Sequence, residues 1–258
     1  MNITIPEYVG QGLLELFILI VGGLLVGWIT YTYFARRAAI VEVEGEVMKK
    51  RLCIYEELYK RLNSFEAQEM LPAARLDAAY TLLHESGFDV ASKPYLPTLS
   101  IMATAKGFSD AYFELDSYIS RHRLYFETEL DRRLIFFTNY LAIFRRLQVM
   151  FEEQIIDMHL PIDDAAVVRC EDQLMTQLCI LYQDEFFDEI TKVLDAIRTA
   201  IHTPQRHKRK PQDHSHHFFG DGGTLHAYLE QLLIFRQREQ IPHLIASNIA
   251  LAKLSQSR

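Results

Sequence analysis

Two residues near the C-terminus have types and spacing that suit chemistry. Arg238 and His243 stand five positions apart in RQREQIPHL. An arginine there could hold the negative charge of a transition state, and an imidazole could take up or deliver a proton near neutral pH. A second cluster is cationic: Arg206, Lys208, Arg209 and Lys210 form a basic run with His207, followed by His214, His216 and His217. Such a run could meet an anionic partner, either RNA phosphates or lipid headgroups. No cysteine or carboxylate completes a metal-ligand set at the usual spacing except Asp213 and Asp221, so no metal and no cofactor is expected. The carboxylate pairs Glu127–Glu129, Glu152–Glu153 and Asp163–Asp164 fall among arginines and read as solvated helix faces and caps.

The phosphate-binding loop, the dinucleotide fingerprint, the hydrolase elbow G-x-S-x-G and the zinc-protease H-E-x-x-H are all missing from the sequence, which withdraws the usual support for those activities. The net charge of −7 gives the chain no general attraction to nucleic acid. Cys53, Cys170 and Cys179 are odd in number and widely spaced, so a disulfide framework is not expected, and each is read as a small core hydrophobe.

The elements that must position these groups are helical. Only 11 Gly and 8 Pro punctuate 258 residues, 49% of them hydrophobic, too few turn residues for a sandwich or barrel and enough apolar material for a core. The fold class is therefore all-α, with a single N-terminal transmembrane helix followed by a cytoplasmic bundle of long helices. From Leu16 to Phe34 no residue is charged, and at 1.5 Å per residue such a run covers roughly 27 Å, close to the hydrocarbon thickness of a bilayer. Trp28, Tyr31, Tyr33 and Phe34 supply an aromatic belt at its end. Arg36, Arg37, Lys49, Lys50 and Arg51 follow the run and no cation precedes it, so the N-terminus is placed outside and the bulk of the chain in the cytoplasm. Gly22, Gly23 and Gly27 leave one face of the span without side chains and suit contact with a second span.

Four segments result: a short external tail and transmembrane helix at 1–35, a cytoplasmic bundle at 36–202, a basic, histidine-rich linker at 203–223 and a helical hairpin at 224–258. Within the bundle, the spacing predicts an amphipathic helix at Arg51–Phe65, with the span either running on through Gly45 as a stalk or bending there. A helix at Ala73–Glu85 follows Pro72, and a loop is expected over Ala91–Ser100. The stretch Phe108–Met150 has neither Gly nor Pro and predicts one very long helix or a break near Arg121–Arg123. Another helix is expected at Ala165–His202, one from Thr224 through Ile241 and a short one at His243–Leu254. No strand is expected.

The Arg238–His243 spacing resembles the signature of the HEPN family, all-α proteins that often cleave RNA where the Arg and His of two subunits meet. The architecture, one N-terminal span, then KKRLCIYEELYKRL, then an all-α domain, is similar to HEPN-like membrane accessory proteins of RNA-targeting CRISPR systems. That resemblance implies ring-shaped assembly at the bacterial inner membrane in antiviral defence. The expected partners are the lipid bilayer and further copies of the chain, with RNA or another protein reached through the cytoplasmic part. The expected function is assembly that perturbs the membrane; a membrane-tethered HEPN-like ribonuclease using Arg238 and His243, and a passive anchor for a soluble partner, are the alternatives.

Overall fold

A computed structural model describes residues 7–93, 96–157, 164–202 and 222–256. The chain divides into two compact units, Met1–Cys53 and Ile54–Arg258. Helix α1 (Glu7–Phe65) contributes to both. In the first unit it is helical through Gly45, where a Cβ would meet nothing within 4 Å, so the helix is not broken there.

The second unit is a helical bundle. After α1 come strand β1 (Gln68–Met70), helix α2 (Ala73–Glu85), strand β2 (Pro97–Leu99) and helix α3 (Ala105–His122). Helices α4 (Thr128–Asp157) and α5 (Asp164–His202) form its centre, and α6 (Gly222–Gln231), α7 (Leu233–Arg236) and α8 (Ile241–Gln256) complete it. Among the described residues the all-α character is borne out, apart from one pair of three-residue strands. β1 and β2 pair antiparallel, Gln68 opposite Leu99 and Met70 opposite Pro97, which corrects the expectation of no strand and of a loop over Ala91–Ser100. Pro97 has no N–H to give, so it sits where the ladder begins.

α2 keeps its expected limits for local reasons. Pro72 precedes its first turn, and Gly87 ends it at φ 86, where the Phe88 N–H reaches the Leu83 carbonyl in a glycine C-cap. The long apolar stretch divides at Arg123–Tyr125, a single 3-10 turn between α3 and α4. There the Arg123 guanidinium holds the Asp131 carboxylate at 3.0 Å, and the Tyr55 hydroxyl donates to the Tyr125 carbonyl at 3.1 Å. These contacts stabilise the corner that the sequence left as one of two choices.

The core lies where α4 and α5 cross. Leu130, Leu134, Phe137, Leu141, Phe144, Leu147 and Phe151 recur at three- and four-residue steps on α4 and are all buried. Phe137 meets Phe186 at 5.9 Å, and about two turns further along α4 Phe144 meets Tyr182 at 6.0 Å, so the chain direction of α5 opposes that of α4. Phe108 of α3 reaches the same ring cluster, 5.9 Å from Phe144. α8 packs Leu244, Ile245, Ile249 and Ala252 into this core, and the buried Asn248 amide donates to Gln177 Oε1 at 2.7 Å.

Two further expectations are corrected. The helix drawn from Thr224 through Ile241 is interrupted: Leu232 is extended at ψ 139, α7 is a single turn, and a second turn precedes α8. The cause is tertiary, since the freed Leu233 N–H is taken by the Glu185 carboxylate at 2.5 Å. Among the cysteines, Cys170 and Cys179 are buried as expected, but Cys53 is exposed.

Candidate functional site

The residues singled out by type and spacing do not form one constellation. Arg238 lies in the turn before α8 and His243 in the first turn of α8, both exposed. Their main chain is held locally: the Arg238 N–H meets the Phe235 carbonyl at 3.3 Å, the His243 N–H meets the Gln240 carbonyl at 3.1 Å, and the His243 carbonyl accepts the Ser247 hydroxyl at 3.0 Å. Among the described residues no hydrogen bond or ion pair joins their side chains. Pro242 sits at the second residue of α8, where its missing N–H costs nothing, so it starts the helix rather than breaking it. The cationic run Arg206, Lys208, Arg209 and Lys210, with His207, His214, His216 and His217, lies outside the described residues. No group of metal-ligating side chains occurs among the described residues.

Ahead of that segment, a buried acidic and phenolic cluster centred on α5, which sequence reasoning passed over, holds α6 and the start of α7. Glu189 is buried, taking the Tyr228 hydroxyl at 2.6 Å on one oxygen and the Lys192 ammonium at 2.7 Å on the other. Tyr228 also stacks on Phe136, ring centroids 4.5 Å apart, which pins α6 to α4. Burial is the main reason that the Glu185 carboxyl titrates above the usual carboxylate range, with the Leu233 N–H pulling partly the other way. Burial first, then the nearby Glu185, holds the Tyr140 phenol well above its ordinary value. The Tyr140 and Tyr182 hydroxyls and Glu185 Oε2 are buried and, among the described residues, have no hydrogen-bond partner of good geometry. The cluster therefore anchors the C-terminal helices; its carboxylates face phenols, a lysine and a backbone N–H. Glu185 and Glu189 stand one turn apart on α5 and carry no distinguishing motif; Tyr228 of α6 and the Leu233 N–H of α7 reach them in the fold, while Lys192 stays exposed.

A second carboxylate is tuned closer to neutrality. Glu171 titrates at about 7 instead of 4.5, raised mainly by burial and then by Glu152 and Asp172, against the opposing effect of Arg145. Arg145 is drawn to Glu152 at 2.9 Å and to Gln148 Oε1 at 3.2 Å, while Asp172 Oδ1 caps α3 by accepting the Ala105 N–H at 2.8 Å. The fold thus favours the protonated form of Glu171. Its contribution to stability is complete below the unfolded value of 4.5 and is lost as pH rises through about 7. Glu171→Gln should therefore flatten the fall in stability between pH 5 and 8, and at pH 8 it should raise stability by roughly 1 kcal/mol after allowance for solvent screening. Urea midpoints of both proteins at pH 5, 6.5 and 8 check this; parallel pH slopes would show that Glu171 titrates normally.

A further exposed apolar surface belongs to α1. In the described part of the apolar run, Leu24, Val26, Trp28, Tyr31 and Phe34 are each 61–73% exposed. Gly27 lies on this helix with nothing within 4 Å of a built Cβ. Gly22 and Gly23 lie outside the residues whose surroundings are described. Among the described residues no helix is long and apolar enough to cross a membrane. Leu24–Phe34 alone falls short of that length, and the earlier half of the run is not among the side chains described. Compared with known proteins, the chain matches no family model, no curated sequence and no solved structure.

Proposed function

We propose that this chain is a single-pass protein of a bacterial inner membrane, with its N-terminus outside and its helical bundle in the cytoplasm, and that copies assemble there to perturb the bilayer. The observation that carries the membrane part is the run of bulky apolar side chains, Leu24–Phe34, that α1 leaves exposed. Water contact with so many large apolar groups on one short segment is costly, at about 25 cal/mol for each Å². Continued back to Leu16 in the sequence, the run has the length of a bilayer core, and Arg36 and Arg37 follow it at once. Assembly is supported by the same helix, whose Gly27 would let two spans approach closely. Perturbation of the bilayer rests on the likeness of the chain's architecture to membrane accessory proteins.

Thiol labelling tests the topology. A cysteine at Asn2 should react with an impermeant reagent in intact cells, while Cys53 should stay unlabelled until the cells are permeabilised. Cys53 is the informative native thiol because it is exposed, whereas burial alone protects Cys170 and Cys179. Labelling of Cys53 in intact cells, with Asn2→Cys silent, would reverse the orientation. The mass of the protein extracted in mild detergent tests assembly: several copies support it and a monomer removes it.

A further inference from the structure

Past the apolar run, α1 keeps an exposed apolar stripe that a bilayer cannot cover, because Arg37, Glu42, Glu44 and Glu46 lie alongside it. Phe34, Ala38, Val41, Gly45, Met48 and Leu52 alternate steps of four and three, the spacing of a seam between two helices. Val41 is 62% exposed, and nothing lies within 4 Å of a Cβ built on Gly45. The same register runs back through Tyr31 to Gly27. Ile40, Val43 and Val47 are also exposed, but they form a shorter stripe on the opposite face, closed off by Arg36 and Lys50.

The charges beside the long stripe say what covers it. When two parallel helices pair in register, the residue just before each a position faces the residue five further along on the partner. Here that rule sets Arg37 against Glu42 and Glu44 against Lys49, opposite charges both times. Pairing within one helix does not account for this pattern, since local pairs need three or four residues of separation. Arg37, Glu42 and Glu44 have no opposite charge at those distances, whereas Glu46 has Lys49 and Lys50. Alanine and glycine at alternate seam positions let the two backbones come close.

We propose that residues 34–52 of α1 form a parallel, in-register stalk with the same residues of a second copy; only its direction relies on the membrane reading, since two spans inserted alike must leave the bilayer side by side. The occupant of the stripe is thus the chain itself, and Arg37, Glu42, Glu44 and Lys49 set the register.

Cross-linking in membranes tests this with the full chain carrying Cys53→Ser. Under mild oxidation, Val41→Cys and Met48→Cys should each give disulfide-linked dimers at least about ten-fold more readily than Val43→Cys, because facing seam positions meet disulfide geometry and outer ones do not. Arg37→Glu and Glu42→Arg, each added to Met48→Cys, should reduce the dimer yield, and the two together should restore it. Equal linking at Val43→Cys, no linking at all, or linking only in mixtures of Val41→Cys with Met48→Cys would overturn the proposal. So would a double charge swap as weak as its parents. Alkaline washing of the same membranes keeps the two readings separate: retained protein that does not cross-link removes the stalk and leaves the anchor. Cross-linked protein released by the wash removes the anchor and leaves the stalk.

Discussion

Phe144→Ala is expected to destabilise the helical bundle by about 3–5 kcal/mol, enough to remove much of the stability of an ordinary domain. Phe144 has no exposed surface, and its ring is met by Phe108 at 5.9 Å, Tyr140 at 5.1 Å and Tyr182 at 6.0 Å. Three helices thus share one side chain, so truncation opens a cavity that none of them can close by moving alone. Phe113→Ala on α3 is the matched control, because that ring is largely exposed and its loss should cost less than about 1 kcal/mol. Chemical denaturation of the detergent-extracted protein, followed by near-ultraviolet circular dichroism, measures both. Similar midpoints for Phe144→Ala and the parent would mean that the α3–α4–α5 core is loosely packed.

Phe144 was recognisable in the sequence because α4 carries its apolar residues at helical steps over seven turns or so, and nothing else explains that pattern. α2 was readable for the same kind of reason, its ends marked by Pro72 and by a glycine that adopts positive φ. What the sequence could not display were features decided by distant contacts. β1 and β2 are three residues each and lie about 30 positions apart, so no local alternation announces them. The interruption at Leu232 has neither Gly nor Pro, and follows from Glu185 taking the Leu233 N–H. Glu189 is likewise ordinary in sequence and buried only because Tyr228 closes over it. Arg238 and His243 show the reverse: their spacing drew attention, yet the fold gives them no shared contact. The α1 stripe, in contrast, follows from periodicity and charge, and exposure of its side chains is the one fact the structure adds.

Paired arginines in the middle of the apolar run should abolish membrane retention. Leu25 and Val26 lie near the centre of Leu16–Phe34, where each arginine costs about 2.5–3.5 kcal/mol of insertion free energy. Leu25→Arg with Val26→Arg therefore opposes insertion by roughly 5–7 kcal/mol, a shift of several thousand-fold or more in the partition between membrane and water. The same two arginines at Ile40 and Val43 should leave retention unchanged, since those residues are exposed but lie beyond Arg36 and Arg37, among charges that already sit in water. The contrast matters because both segments of α1 expose bulky apolar groups, and composition alone does not tell a lipid-facing helix from one that faces a second copy. The fraction of protein that stays with membranes through an alkaline wash is the readout. If the Leu25→Arg, Val26→Arg protein is retained as fully as the parent, α1 does not enter the hydrocarbon core, and its exposed run must be covered by protein instead. If the Ile40→Arg, Val43→Arg protein is released as well, retention depends on the whole helix lying along a surface, and the division between span and stalk drawn at Arg36 fails.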